Sequence, residues 1–198
     1  MKKGKISKFR YFMVIVSLAS VGFMFQIFEF PVPGVLPAYL KMDISDFSEL
    51  LGSFAMGPVA GVCIVVLRNL MHVSLSQTAG IGEVSNGLAG LTFAIPAGLI
   101  YKYNRTKRGM VIAALTASVV MTICSFPLNK FIIYPMYETI IPKEHFMLVF
   151  QEILPWVKNL DQCLVIFCMP LSLVKGLCSS VIALLVYKKV YPFMQGDG

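Results

Sequence analysis

Four stretches of this chain carry polar side chains where apolar ones are expected. Lys175 stands in MPLSLVKGL, Asn129 and Lys130 follow Pro127, Arg68, Asn69 and His72 interrupt a third apolar run, and Glu83 and Asn86 open a fourth. A charged group inside a membrane segment costs about 2.5–3.5 kcal/mol or more unless it is paired or wetted, which makes each of these a candidate for function. Lys175 supplies donors only, whereas a side-chain amide such as Asn129 both donates and accepts. Lys175 can snorkel along its stem, pair with an acid or hold a ligand. Arg68 and His72, at i and i+4 on one helical face, are better suited to structural ion pairs with Glu49 or Glu83. Asn129 either caps a helix end or joins the polar groups of three other runs around one cavity. In TAGIGE, Gly80 and Gly82 serve a turn or expose backbone groups to an amide-rich ligand edge.

The elements that position these residues follow from composition. Of 198 residues, 57% are hydrophobic and 14% charged, against about 45–50% and about 25% in a soluble domain. With 15 Phe and 12 Met there is more apolar side chain than a water-facing surface can hide. Cys63, Cys124, Cys163, Cys168 and Cys178 lie in apolar stretches without ligand-like spacing, which argues against a disulfide framework or a zinc site. No HExxH, GxSxG, P-loop or GxGxxG is present, so neither an enzyme nor a chain with its own ATP site is expected, and no cofactor is called for.

The net charge of +7 is segregated rather than striped. Lys2, Lys3, Lys5, Lys8 and Arg10 precede the first apolar run, Lys102, Arg105, Lys107 and Arg108 lie between two others, and Lys188 and Lys189 follow the last. The acidic residues, Asp197 apart, fall elsewhere. This is the positive-inside pattern of a multispanning protein and excludes a nucleic-acid partner.

A span needs about 20 residues. The chain is therefore expected to be an all-α integral membrane protein of six transmembrane helices forming one domain, both termini cytoplasmic, with spans at about 9–28, 47–56, 58–73, 85–103, 109–134 and 162–187. Extracellular loops are expected at about 29–46, 74–84 and 135–161, the first broken by Pro31, Pro33, Gly34 and Pro37 and the last holding a short interfacial helix near 145–154. The first span is too long for a signal peptide and is expected to be retained. Splitting the third run at Gly57 and Pro58 brings all three basic clusters to one side. Ser17, Ala19, Ser20 and Gly22, and Gly57 with Gly61, permit close helix packing, and the first helix could also present a docking face.

The run FEFPVPGVLPAYLKMDISDFSELLGSFAMGPVAGV, followed in order by TAGIGEVSNGLAG, IPAGLIY, FPLNKFIIYPMY and MPLSLVKGL, resembles the riboflavin-specific S components (RibU family) of energy-coupling factor (ECF) transporters over essentially the whole chain. The resemblance implies a six-helix protein of the bacterial plasma membrane that captures riboflavin near its outer face. It also implies partners: a transmembrane coupling protein and two ABC-type ATPases that use the ATP. Position by position, it implies ligand contacts from Leu40, Met42, Asp43 and Asp46, from Ala79, Gly80, Gly82 and Asn86, and from Asn129, Ser172 and Lys175. Ser172 stands where relatives often carry Asn, and Phe23, four residues after Ala19, blurs the small-residue docking motif of the first helix. A flat isoalloxazine ring needs an apolar slot with a few fixed donors and acceptors, which Phe, Met and Tyr together with Asn129, Ser172 and Lys175 can provide. The choice of riboflavin rests on the resemblance. The alternatives are an S component for another vitamin, such as thiamine or biotin, and a self-contained proton-coupled carrier with Glu83, Arg68 and His72 as its relay.

Overall fold

A computed structural model describes residues 7–31, 40–140 and 142–195. Pro33, Gly34 and Pro37, and Lys2, Lys3, Lys5 and Asp197 of the charge pattern, lie outside them. The described residues are mostly helical, with one two-stranded antiparallel ribbon among them, β1 (Phe30–Pro31) with β2 (Lys41–Met42). α1 (Lys8–Ile27) starts at Ser7, whose hydroxyl accepts from the Arg10 N–H. α2 (Phe47–Met56) and α3 (Pro58–His72) form a hairpin about Gly57, whose φ of 100° needs a residue without Cβ, while Pro58 opens α3 where its missing N–H costs nothing. α4 (Ile81–Tyr103) and α5 (Lys107–Leu128) follow, the latter capped by Thr106. A π turn at Asn129–Ile133 leads into α6 (Tyr134–Glu138). α7 (Lys143–Ile153) is the expected short helix, and α8 (Leu160–Cys163) runs through a second π turn, Leu164–Cys168, into α9 (Met169–Gln195).

Among the described residues, five helical stretches are long and apolar enough to cross a membrane: Lys8–Ile27, Pro58–Leu75, Ile81–Tyr103, Lys107–Glu138 and Leu160–Met194. α2, which the sequence suggests as a sixth span, has the expected bounds, but its ten residues cover only about 15 Å, half the hydrocarbon thickness. Every residue from Phe47 to Ala55 is buried, so α2 is enclosed by other helices. The missing length is made up by the chain just before it. Asp43, Ser45 and Asp46, expected in an exterior loop, are buried inside the bundle. Non-helical backbone is tolerated there because protein groups, not lipid, surround it.

The first π turn carries the fifth helical stretch past its expected end, and the second lies inside the expected last span. Each lies just before a proline, Pro135 and Pro170, that comes two residues after the turn. A proline ring clashes with the carbonyl four residues earlier, and widening that turn relieves the clash without ending the helix. The helix therefore runs through Pro135 to Glu138.

The packing has two centres. Ala19, Ala60, Ala97, Ala113, Ala114, Ala117 and Ala183, all fully buried, bring α1, α3, α4, α5 and α9 together around Phe54, Ile64 and Phe93. Small side chains let backbones approach where lipid supplies no hydrophobic drive. Gly98 shows how close: a Cβ there would lie 2.7 Å from the Pro58 Cα. Beside α6 and α7 the second centre is aromatic, with Tyr134, Tyr137, Phe150 and Phe167 packed on Leu164 and Val157. The opposite faces of the long helices remain apolar and exposed, as with Val111, Ile112, Leu115, Val119 and Ile123 of α5, which is the face offered to lipid.

Candidate ligand-binding site

Three helices each turn one stripe toward a common cavity: Gly82, Ser85, Asn86 and Ala89 of α4, Met121, Ser125 and Leu128 of α5, and Cys168, Leu171, Ser172 and Lys175 along the last span. The spacing within each stripe is i, i+3/i+4, i+7, the repeat of one helical face. The π turn after α5 adds Asn129 and Ile133, and α6 adds Tyr134 and Tyr137. Leu40, Lys41, Glu29, Gln77 and Thr78 form the rim, and the empty space, mouth included, is about 1090 Å³. Apolar and aromatic side chains share the lining about equally with polar ones, among them Asn86, Ser125, Asn129, Ser172, Lys175 and the Glu83 carboxylate, a make-up that suits an organic ligand with many polar groups.

The rim is tied together by local chemistry. Lys41 donates to Glu29 at 2.6 Å and to Gln77 at 2.9 Å, joining the ribbon to the turn before α4. In that turn Ala79 (φ 52°) and Gly80 (φ 87°) are left-handed, and the Ser76 hydroxyl accepts from the Gly80 N–H while donating to Glu83. Glu83 also pairs with His72 at 2.9 Å. The expected partner of His72 is thus Glu83, and this contact holds the turn that shapes the cavity mouth.

Behind the cavity lies a buried charge cluster. Lys175 Nζ donates to Asp43 Oδ2 at 2.9 Å and to Asn86 Oδ1 at 3.0 Å, with Asp46 Oδ2 at 3.4 Å. Arg68, fully buried, pairs with Asp46 at 3.0 Å and Glu49 at 3.4 Å and donates to the Ser45 hydroxyl at 2.7 Å. Ser45 donates in turn, through its hydroxyl and its backbone N–H, to Asp43.

The residues singled out in the sequence divide accordingly. Leu40, Gly82, Asn86, Asn129, Ser172 and Lys175 line the cavity. Asp43 and Asp46 contact Lys175 from behind and are not part of the wall, and Met42, in β2, and Ala79 and Gly80, in the turn, also lie outside the lining. The Asn129 amide donates to the Ser125 carbonyl at 2.7 Å, which engages one of its two N–H groups. Lys130 points away from the cavity lining, to Asp161 at 2.8 Å beside the Phe126 ring. Arg68 and His72 take separate partners, Arg68 in ion pairs with Asp46 and Glu49, His72 in contact with Glu83. Tyr134, Tyr137, Met121, Ser125 and Leu171 were not singled out; the helical stripes through Asn86, Asn129 and Lys175 were the signal that pointed to the last three.

Residues 11–187 match the family described as the ECF transporter, substrate-specific component. The chain belongs to the ECF substrate-specific (S) components. As such it is a membrane transport subunit that works with an ECF energy-coupling module and is not an enzyme. This S component is 29% identical over 181 residues to the riboflavin transporter RibU of Staphylococcus aureus (strain TCH60), covering 91% of this chain and 90% of that one. It is 28% identical over 193 residues to the riboflavin transporter FmnP of Bacillus subtilis (strain 168), covering 95% of each. A solved structure of the S component of a bacterial ECF transporter superposes with a TM-score of 0.74 at 28% identity, over 96% of this S component and 99% of that chain.

Proposed function

We propose that this S component binds riboflavin in the cavity between α4, α5–α6 and α9 and supplies it to an ECF module whose two ATPases drive uptake. In this reading the cavity faces the cell exterior and both termini lie in the cytoplasm. The observation that carries it is the composition of one pocket. Met121, Leu128, Ile133, Leu171 and the Tyr134 and Tyr137 rings offer a slot for a flat tricyclic ring, and Asn86, Asn129, Ser172 and Lys175 stand along it. A ring edge that alternates carbonyl and N–H asks for amides, which both donate and accept, and for an ammonium that only donates. Two of the three Lys175 protons go to Asp43 and Asn86, and the third, whose nearest further protein partner is Asp46 at 3.4 Å, is the one a ligand oxygen can take. The two relatives named for riboflavin transport support the same ligand.

Purification from detergent extract without added ligand, followed by titration against flavin fluorescence, tests this directly. A yellow protein, or stoichiometric quenching at nanomolar to micromolar flavin, is the expected result. A folded, colourless protein that leaves the fluorescence unchanged would overturn the riboflavin assignment and turn the same titration to thiamine and biotin. Uptake that survives loss of the ATPases would instead favour an ion-coupled carrier.

A further inference from the structure

The acidic segment 43–46 is gripped from two sides by buried cations, and none of its side chains lines the cavity. Each of its residues is engaged. Asp43 accepts from Lys175 and Ser45, the Ile44 carbonyl from Ser179 at 3.5 Å, Ser45 from Arg68, and Asp46 from Arg68 with Lys175 at 3.4 Å. Arg68, Asp43, Ser45 and Asp46 are all at most 3% exposed. A buried cluster of this kind is no better for stability than well-packed apolar side chains, because desolvation offsets much of the attraction. Its geometry has a more specific consequence. Lys175 is the one cation of the cluster that also lines the cavity, and its ammonium is placed by Asp43 and Asn86.

We infer that Asp43 is a positioning residue for ligand capture: resting on the Ser45–Arg68 pair, it holds the Lys175 ammonium so that its remaining proton faces the cavity, and it acts on affinity through Lys175 alone. This rests on the riboflavin reading above. Without the Asp43 carboxylate the lysine stem, with its many rotamers, keeps Asn86 at 3.0 Å and the more distant Asp46 at 3.4 Å, both of which hold it off the position the ligand requires, so the ligand must then bear the cost of reordering it. Ser45 contributes one step further back, since its hydroxyl is the bridge by which Arg68 orients the Asp43 carboxylate.

A double-mutant cycle read by flavin fluorescence distinguishes this from a role in folding. Wild type, Asp43→Asn, Lys175→Met and the double variant are purified in detergent, checked for a monodisperse elution peak, and titrated with riboflavin. Asp43→Asn and Lys175→Met are each expected to weaken binding at least tenfold, and the double variant to bind no more weakly than Lys175→Met. If the double variant shows the product of the two single losses, or Asp43→Asn binds as wild type does, the positioning role is overturned. If wild type itself leaves the fluorescence unchanged, the riboflavin reading fails instead. Should Asp43→Asn not yield folded protein, Ser45→Ala replaces it in the same cycle, with an expected loss of a few fold that disappears in the Lys175→Met background; a loss that persists there would overturn the inference.

Discussion

The alanine-rich centre and the aromatic centre solve opposite problems within one helix bundle. In the first, fully buried alanines of α3, α4, α5 and α9 and glycines such as Gly90 and Gly98 let regular α-helices close on one another. In the second, two π turns and the rings of Tyr134, Tyr137, Phe150 and Phe167 intervene between the same helices near their other ends. Tyr134 stacks on Phe150 with centroids 6.4 Å apart, and Phe150 meets Phe167 at 5.1 Å. Bulky rings keep helix axes apart, and a widened turn re-aims the side chains beside it. The contrast teaches that the cavity is not a packing fault. It opens where side-chain size and helix pitch both change along continuous helices, and the buried ion cluster marks the boundary between the two regimes.

The comparison can be broken most severely at that boundary. Arg68→Ala leaves Asp46 and Glu49 buried without their cation, and should destabilise the protein by about 3–5 kcal/mol, seen as loss of monodisperse protein or a large fall in the detergent melting temperature. Lys175→Ala touches the cavity directly. It should weaken riboflavin binding by about 1.5–3 kcal/mol in the fluorescence titration, and an unchanged affinity would rule out a ligand contact. In the closely packed region, Gly98→Ala drives a methyl against the Pro58 backbone and should cost about 1–3 kcal/mol of stability while the folded fraction keeps its flavin affinity. The smallest effect sharpens the contrast. Ser172→Asn lengthens a polar side chain on the cavity wall, and one added hydrogen bond should tighten flavin binding by about 0.5–1.5 kcal/mol with no change in melting temperature.

Much of the positional information was local and therefore legible. The hairpin at Gly57 and Pro58, the polar intruders Asn86, Asn129 and Lys175, and the short helix α7 all follow from residue type and spacing. The fifth helical stretch runs past its expected end near Tyr134 to Glu138, because Pro135 reads as a helix breaker unless a π turn absorbs its ring, and that depends on the neighbours the helix packs against. Asp43 and Asp46 were assigned to the ligand on resemblance. In the structure they stand behind Lys175, a placement that depends on where α3 carries Arg68.

By itself the sequence determined that this is a multispanning helical protein, that the chain turns at Gly57 and Pro58, and which polar side chains interrupt the apolar runs, since hydropathy, proline and glycine act through the chain's nearest neighbours and the surrounding solvent. The tertiary structure alone decided which of those side chains share a cavity. It also decided that α2 is enclosed by other helices with segment 43–46 buried beside it, and that the acids of that segment meet Lys175 and Arg68. These are contacts between residues as far apart as Asp43 and Lys175, and only helix packing sets their distance.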